Sequence, residues 1–427
     1  MTKKIPVWLT AVFLILAVVI TFELTVIFGG TFSRYEPEVT LPVVTDETPE
    51  TTAPEEEKEP SFEEQLFSRV NEKVNTILSL YTNYFVGDIN IDDVVEGAAE
   101  GIVAYIGDKY GDYHTKEEYE ALMQGYSGEF AGIGVSIIYN SEYGAIEILQ
   151  VMNNSPALEA ELLPNDLIVA VGGESVLSLG YNEAINRIRG EIGTEVTLTI
   201  ARGKDYEEVF DVTITRRTVE EESVTYETIE VDTLYRPLAY IRILDFNHLS
   251  AEQFIDAMAE GSADKVHGYI IDLRNNGGGE LNSVLTMLDA LLPEGPIVRI
   301  QYKDGSEKVY ESDKSAFKGI FTVLVNDNTA SAAELFVSAL RDYGKAIVVG
   351  ENTYGKGTVQ TIMQLADGDA LRISTSMYLP PFTDNFEGIG IAPDIEATLP
   401  EEFKNVNLFK LSHKDDTQLQ AAINLYK

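Results

Sequence analysis

The chain has 427 residues, enough for roughly two or three domains. Its 31 Lys and Arg against 70 Asp and Glu leave a net charge of -39, which argues against a nucleic-acid or anionic-lipid surface partner. With no cysteine there can be no disulfide, thiolate metal site or cysteine nucleophile, and His114, His248, His267 and His413 are never paired at metal-ligand spacing. Neither a metal nor another cofactor is expected, and a serine–histidine triad is disfavoured.

Lys3 and Lys4 precede residues 5–22, an uncharged apolar run that resumes after Glu23 as far as Phe28. That length suits a bilayer core, with the positive flank on the cytoplasmic side. No small-x-small cleavage site follows, so residues 1–30 are expected to form an uncleaved, single-pass transmembrane anchor. The rest of the chain would then face away from the cytoplasm. Residues 31–60, rich in Glu, Thr and Pro, bury too little apolar surface to offset ordering entropy and read as a disordered acidic linker.

Residues 61–125 read as a helical region. Phe62, Leu66, Val70, Val74, Ile77, Leu78 and Tyr81 recur at helical spacing. A second helix is expected from Asp92 as N-cap, with Val95, Ala98, Ala99, Ile102 and Ile106 on one face. A third is expected over 115–123, after Gly107-Asp-Lys-Tyr-Gly-Asp-Tyr-His114. Nothing in them demands chemistry; they suit packing or dimerisation.

Over 126–205 the rhythm changes to short strands, expected at 132–138, 145–151, 166–171 and, last, 195–201, with a helix at 181–189. Gly132-Ile-Gly-Val135, Asn153-Asn-Ser-Pro-Ala-Leu158 and Pro164-Asn-Asp166 follow in order. The series resembles a PDZ domain of the circularly permuted bacterial kind. That resemblance makes Gly132, Ile133, Gly134 and Val135 a carboxylate-binding loop, where a peptide adds a strand to an open edge. Glu161-Leu-Leu-Pro-Asn-Asp166 departs from the Gly-Leu-x-x-Gly-Asp usual there.

Residues 206–400 alternate strands and helices, which implies a largely parallel α/β core with functional loops at strand ends. Strands are expected at 238–244, 269–274, 320–325 and 346–349, and helices at 251–260 and 281–292. Residues 401–427 end in an amphipathic helix over 417–426.

The chemistry concentrates in three loops of this core. Ser331, in Asn326-Asp-Asn-Thr-Ala-Ser-Ala-Ala-Glu334, stands where a loop turns into an apolar helix among small neighbours. A helix N-terminus supplies N–H groups and a positive dipole for a developing oxyanion; the bland alternative is a capping serine. Lys356, in Gly350-Glu-Asn-Thr-Tyr-Gly-Lys-Gly357, could serve as its base if desolvation keeps the amine neutral. A surface lysine is one alternative and a phosphate loop another. The phosphate loop fails because Gly357 lacks the magnesium-binding hydroxyl and a strand follows where a helix is needed. Gln360, on one strand face with positions 356 and 358, could orient the amine or merely be solvated. Asn276-Gly-Gly-Gly279 could add an oxyanion N–H or be a flexible turn.

Asp272-Leu-Arg-Asn-Asn-Gly-Gly-Gly279, Thr329-Ala-Ser-Ala-Ala-Glu334, Thr353-Tyr-Gly-Lys-Gly-Thr-Val-Gln360 and Gly390-Ile-Ala-Pro-Asp394 occur in order after the PDZ-like segment. Together they closely resemble the carboxyl-terminal processing peptidases, or tail-specific proteases, over roughly residues 65–427. The resemblance implies a ClpP/crotonase-like α/β protease core with an inserted PDZ domain. It makes Ser331 the nucleophile, Lys356 the general base, Gln360 its orienting partner, and the N–H groups of Ala332 and Gly278 the oxyanion hole. Arg189, in Ile188-Arg-Gly190, matches an arginine that couples peptide binding to activation. It further implies protein substrates recognised by their C-termini and a homodimer built through the terminal helices. Gly277 stands where proline is usual, and Leu379-Pro-Pro-Phe-Thr-Asp-Asn-Phe386 replaces the commoner Tyr-x-x-Pro-x-Gly. The competing expectations are a catalytically inactive PDZ adaptor tethering partners at the membrane and, less favoured, a nucleotide-dependent protein.

Overall fold

The computed structural model describes residues 59–427 apart from 204–205, 314–315 and 405. The anchor expected over 1–30, and all but the last two residues of the linker expected over 31–60, lie outside the described residues. Among the described residues no helix is long and apolar enough to cross a membrane. The chain divides into two compact units, residues 1–87 and 88–427.

In the first unit, α1 (Phe62–Tyr84) starts at a reciprocal cap: Ser61 Oγ accepts the Glu64 N–H at 3.2 Å and the Glu64 carboxylate accepts the Ser61 N–H at 2.7 Å. Its apolar row Leu66, Val70, Val74, Ile77 and Leu78 is exposed.

The second unit opens with α2 (Ile91–Ile106). Its N-cap is Asn90, not the expected Asp92, because the Asn90 side chain accepts the Asp92 N–H at 3.1 Å from an extended backbone. Strand β1 (Asp112–His114), α3 (Lys116–Ser127, capped by Thr115) and β2 (Glu129–Gly132) follow.

A six-stranded antiparallel sheet follows: β3 (Val135–Asn140), β4 (Ala145–Val151), β5 (Leu167–Val171), β6 (Glu195–Arg202) and β7 (Glu208–Thr215), in that spatial order, with the short strand Glu174–Ser175 paired to β5 off this path. Helix α4 (Tyr181–Ile188) packs on the sheet through Ala184 and Ile188. The strand expected over 132–138 is broken at Gly134 (φ 81°), which separates β2 from β3. Strand β6 is not the last, since β7 pairs along its whole length. Strand β7 alternates Phe210, Val212 and Ile214 with Asp211, Thr213 and Thr215, a strand pattern that the expected elements left out. Beyond it, β8 (Arg217–Glu220) returns to pair with β2.

The remaining elements are β9 (Val224–Ile229), β10 (Leu238–Ile243), α5 (Ser250–Ala263), β11 (Tyr269–Asp272), α6 (Leu281–Leu291), β12 (Gly295–Tyr302), β13 (Glu307–Ser312), β14 (Phe321–Val325), α7 (Ala332–Asp342), β15 (Ala346–Gly350), β16 (Thr358–Gln364), β17 (Ala370–Leu379), β18 (Ile395–Glu396) and α8 (Thr417–Asn424). A six-stranded sheet runs β9-β10-β11-β14-β15-β18, antiparallel at β9–β10 and parallel thereafter. Both faces are covered. Ile241, Ile271, Val323 and Val348 pack against Phe254, Met287 and Phe336. Tyr240, Ile270, Leu324 and Val349 pack against Leu419 and Ile423 of α8. Two-sided burial explains why these strands read as continuous apolar runs. Strands β12, β13, β16 and β17, with β1, build a second, antiparallel sheet. Of these only β16 is evident in the sequence.

Candidate active site

Three adjacent parallel strands, β11, β14 and β15, end on the same edge, and the loops leaving them carry the residues singled out above. Backbone and side-chain bonds stitch these loops together. Thr329 Oγ1 donates to Leu273 O at 2.9 Å, Ala330 N–H to Asn276 O at 3.0 Å, and Tyr354 N–H to Thr329 O at 3.0 Å. Functional loops at the carboxyl ends of parallel strands are the expectation for an α/β sheet.

Ser331 is the N-cap of α7 and has φ 57° and ψ −120°. A serine at positive φ outside the left-handed well costs about 1–3 kcal/mol and persists where the surroundings over-determine it. The determinant here is Glu334, one turn on and wholly buried. Its Oε2 accepts the N–H of Ser331 and of Lys356, each at 2.8 Å; its Oε1 accepts the Thr353 hydroxyl at 2.5 Å and the Gly355 N–H at 2.7 Å. Burial pushes the Glu334 carboxyl up and the four donors oppose it. Four donors on four lone-pair positions suit only the ionised form.

Gly278 stands against the same turn. A Cβ on it would lie 2.9 Å from Ala330 O, Ala332 N and Ser331 Cβ, and its φ is 103°, so the approach requires glycine. The Ala332 N–H opens α7, where amides lack an intrahelical acceptor. The Gly278 N–H, by contrast, donates to Asn276 Oδ1 at 2.8 Å.

Lys356 is half-buried. Its amine is held below the ordinary lysine value, first by burial and then by the Arg372 guanidinium. Its Nζ lies 5.0 Å from the centre of the Tyr110 ring. Among the described residues no hydrogen bond joins the Lys356 amine to the Ser331 hydroxyl. Ser331 instead lies beside Tyr378, whose phenol burial drives far up while the Ser331 side chain pulls it back.

Gln360 follows a bulge between Val359 and itself, which breaks the simple alternation expected to align positions 356, 358 and 360. Its amide nitrogen donates to Thr358 Oγ1 at 2.8 Å and to Ser374 Oγ at 3.3 Å. Among the described residues no hydrogen bond joins it to Lys356.

Gly132, Ile133, Gly134, Val135 and Arg189 come together in a second place, a groove of 710 Å³ between β3 and α4. Among the described residues strand β3 pairs only with β4, which leaves its other edge open. The carbonyls of Ile133 and Gly134 accept from Ala157 N–H at 2.8 Å and Met152 N–H at 3.0 Å. Since each peptide plane points its carbonyl and the next N–H oppositely, the amides of Gly134 and Val135 face the groove. A Cβ on Gly134 would lie 2.3 Å from Ser155 Cβ, which excludes larger residues.

Glu334 is the residue missed by reading the sequence, although its place three after a helix-capping serine is the capping-box signature. Tyr110, Arg372 and Glu387 were missed as well. They reach Lys356 from distant segments and carry no local signal.

The family profile described as "Peptidase family S41" matches residues 237–397, and that of a "PDZ domain" matches 147–202. The carboxy-terminal processing protease CtpA of Bacillus subtilis (strain 168) is 32% identical over 355 residues, 82% of this chain and 72% of that protein. A CtpA-like serine protease of Staphylococcus aureus (strain MRSA252) is 31% identical over 352 residues, 80% of this chain and 69% of that one. A solved candidate S41 protease from Bacteroides fragilis aligns with a TM-score of 0.55 at 16% identity, covering 80% of this chain and 92% of that one, a likeness of fold.

Proposed function

From the premise that the chain belongs to peptidase family S41, as a carboxy-terminal processing serine protease with a PDZ domain, we propose that Ser331 is its nucleophile and Lys356 its general base. Ser331 Oγ attacks the peptide carbonyl as the neutral Lys356 amine takes its proton. The resulting ammonium protonates the leaving amine, and water then resolves the acyl-enzyme. The Ala332 N–H stabilises the oxyanion, joined by Gly278 once its N–H leaves Asn276. Gln360 orients the lysine after letting go of Thr358.

The observation that carries this reading is the single Glu334 oxygen holding the backbones of Ser331 and Lys356. Arrival of a substrate then needs only side-chain movement to join hydroxyl and amine. In the groove, the Gly134 and Val135 amides receive the C-terminal carboxylate of a protein substrate, its last residues pair with β3, and Arg189 relays occupancy to the core.

The expected segment 1–30 anchors the enzyme in the cell membrane with its catalytic part outside the cytoplasm. The exposed apolar rows of α1 and of α2 are the surfaces by which two copies would pair. Mass spectrometry of fragments from extracytoplasmic proteins, comparing wild type with Ser331→Ala, tests the central assignment. Fragments lost in the variant are expected; an identical fragment set from both would leave the adaptor reading in its place.

A further inference from the structure

The segment Gly107-Asp-Lys-Tyr-Gly-Asp-Tyr-His114 has no part in the chemistry described so far, yet it builds one wall around Lys356. Tyr110 is held from four sides. Its hydroxyl donates to Glu387 Oε1 at 2.9 Å and accepts from Lys109 Nζ at 2.8 Å. Its N–H donates to Asp108 Oδ1 at 3.1 Å, and its carbonyl accepts from Arg372 Nε at 3.3 Å. Asp108 is itself fixed on β17 by the Ser374 N–H at 2.7 Å and hydroxyl at 2.8 Å.

The other oxygen of Glu387 accepts the N–H of Gly357, the residue after the lysine, at 2.7 Å. One carboxylate thus clamps both the phenol and the backbone that carries Lys356. The ring cannot drift from the amine without breaking that clamp, and the 5.0 Å separation is a cation–π distance.

We propose that Tyr110 is a positioning residue whose ring face holds the Lys356 amine in its protonated form and away from Ser331 until substrate draws it across. The proposal rests on the Ser331–Lys356 reading above. An aromatic face favours the ammonium over the neutral amine, so it opposes the burial that favours deprotonation. The charged groups facing the amine are Arg372 from β17, Glu387 from the loop before β18, Asp108 from the loop before β1, and Glu334 from α7. Lys109 Nζ also lies over the Tyr110 ring, 4.6 Å from its centre, and Glu387 loses the phenol's hydrogen bond in every variant without the hydroxyl; across a series of fluorinated phenylalanines these groups stay the same.

The test is the pH dependence of kcat/KM of the full-length enzyme on an unstructured protein substrate. Tyr110→Leu keeps the wall apolar but removes the π face, so the acid limb should move down by about one pH unit. Tyr110→Phe keeps the face but loses the hydroxyl bonds to Glu387 and Lys109, so its limb should lie closer to wild type than that of Tyr110→Leu. Replacing Tyr110 by phenylalanines of increasing fluorination preserves shape while weakening the face, and should lower the limb stepwise even if the leucine variant folds poorly. A limb that ignores fluorination, or that moves equally in Tyr110→Phe and Tyr110→Leu, overturns the proposal. Ser331→Ala and Lys356→Ala run alongside separate the two levels. Activity surviving in them overturns the dyad and this inference together; activity lost in them with an unmoved fluorination series overturns the inference alone.

Discussion

Ser331 and Lys356, twenty-five positions apart in sequence, donate their backbone N–H groups to the same oxygen of Glu334, each at 2.8 Å. One buried carboxylate therefore sets the separation of the two loops. The other Glu334 oxygen, by binding the Thr353 hydroxyl and the Gly355 N–H, fixes the glycine turn that carries the lysine.

Glu334→Gln should separate the loops. An amide turns an NH2 toward groups that are themselves donors, leaving at least one buried donor unmet at about 1–3 kcal/mol. A misplacement of order 1 Å costs about 10²-fold in rate. Denaturant titration should show the stability loss, and steady-state kinetics should show a fall in kcat with KM for a C-terminal peptide little changed. Wild-type kcat in this variant would remove the bridge from the mechanism.

Gly278→Ala puts a methyl 2.9 Å from Ala332 N and Ser331 Cβ at a φ of 103°. Loss of an oxyanion donor lowers kcat by about 10²–10³-fold, and a drop of that size is expected here. Circular dichroism should stay native, since the strain is confined to one loop. Unimpaired turnover would mean that the oxyanion lies elsewhere.

The pH profile tests the lysine. Activity requires the neutral amine, so kcat/KM should rise with pH along a limb that lies below the ordinary lysine value of about 10.4, because burial and then Arg372 depress Lys356. Arg372→Gln removes a positive neighbour, makes the ammonium less costly and should carry the limb to higher pH. A downward move would contradict a lysine base.

Asp272 is wholly buried between Arg274, bonded at 2.7 Å, and Arg242 at 3.4 Å. Burial alone would raise its carboxyl, but the two guanidiniums hold it far below the usual carboxylate range. Its contribution to stability is thus complete above the unfolded value of about 3.9 and drains away as pH falls beneath it. Asp272→Asn leaves Arg242 without its carboxylate and Arg274 with Asp416 alone, and should cost about 3–5 kcal/mol at neutral pH. Melting curves at pH 7 and below pH 4 for both proteins check this: the variant should lose less on acidification than wild type.

Much of the architecture was legible because it rests on local periodicity. Strands 145–151 and 346–350 and the helix from Leu281 stand within a residue of their expected bounds, each an apolar run buried on one or both faces. Strands β13 and β17 were not legible. They are mostly exposed or half-buried, so their partners decide them, not their own composition. The cap falls at Asn90 and not at Asp92 because the extended backbone at Asn90 lets its side chain accept the Asp92 N–H.

The sequence by itself determined the family, the α/β order of the core and the three loops that hold Ser331, Lys356 and Gly278, since motif spacing along one chain carries that information. Only the tertiary structure decided that Glu334 ties two of those loops, that the Gly278 amide is taken by Asn276, and that Tyr110 lies under the lysine. Those relations join segments up to 246 positions apart by hydrogen bonds and one ring contact. Such short-range forces act only once packing has brought their partners together, and so they leave no periodic trace in the chain.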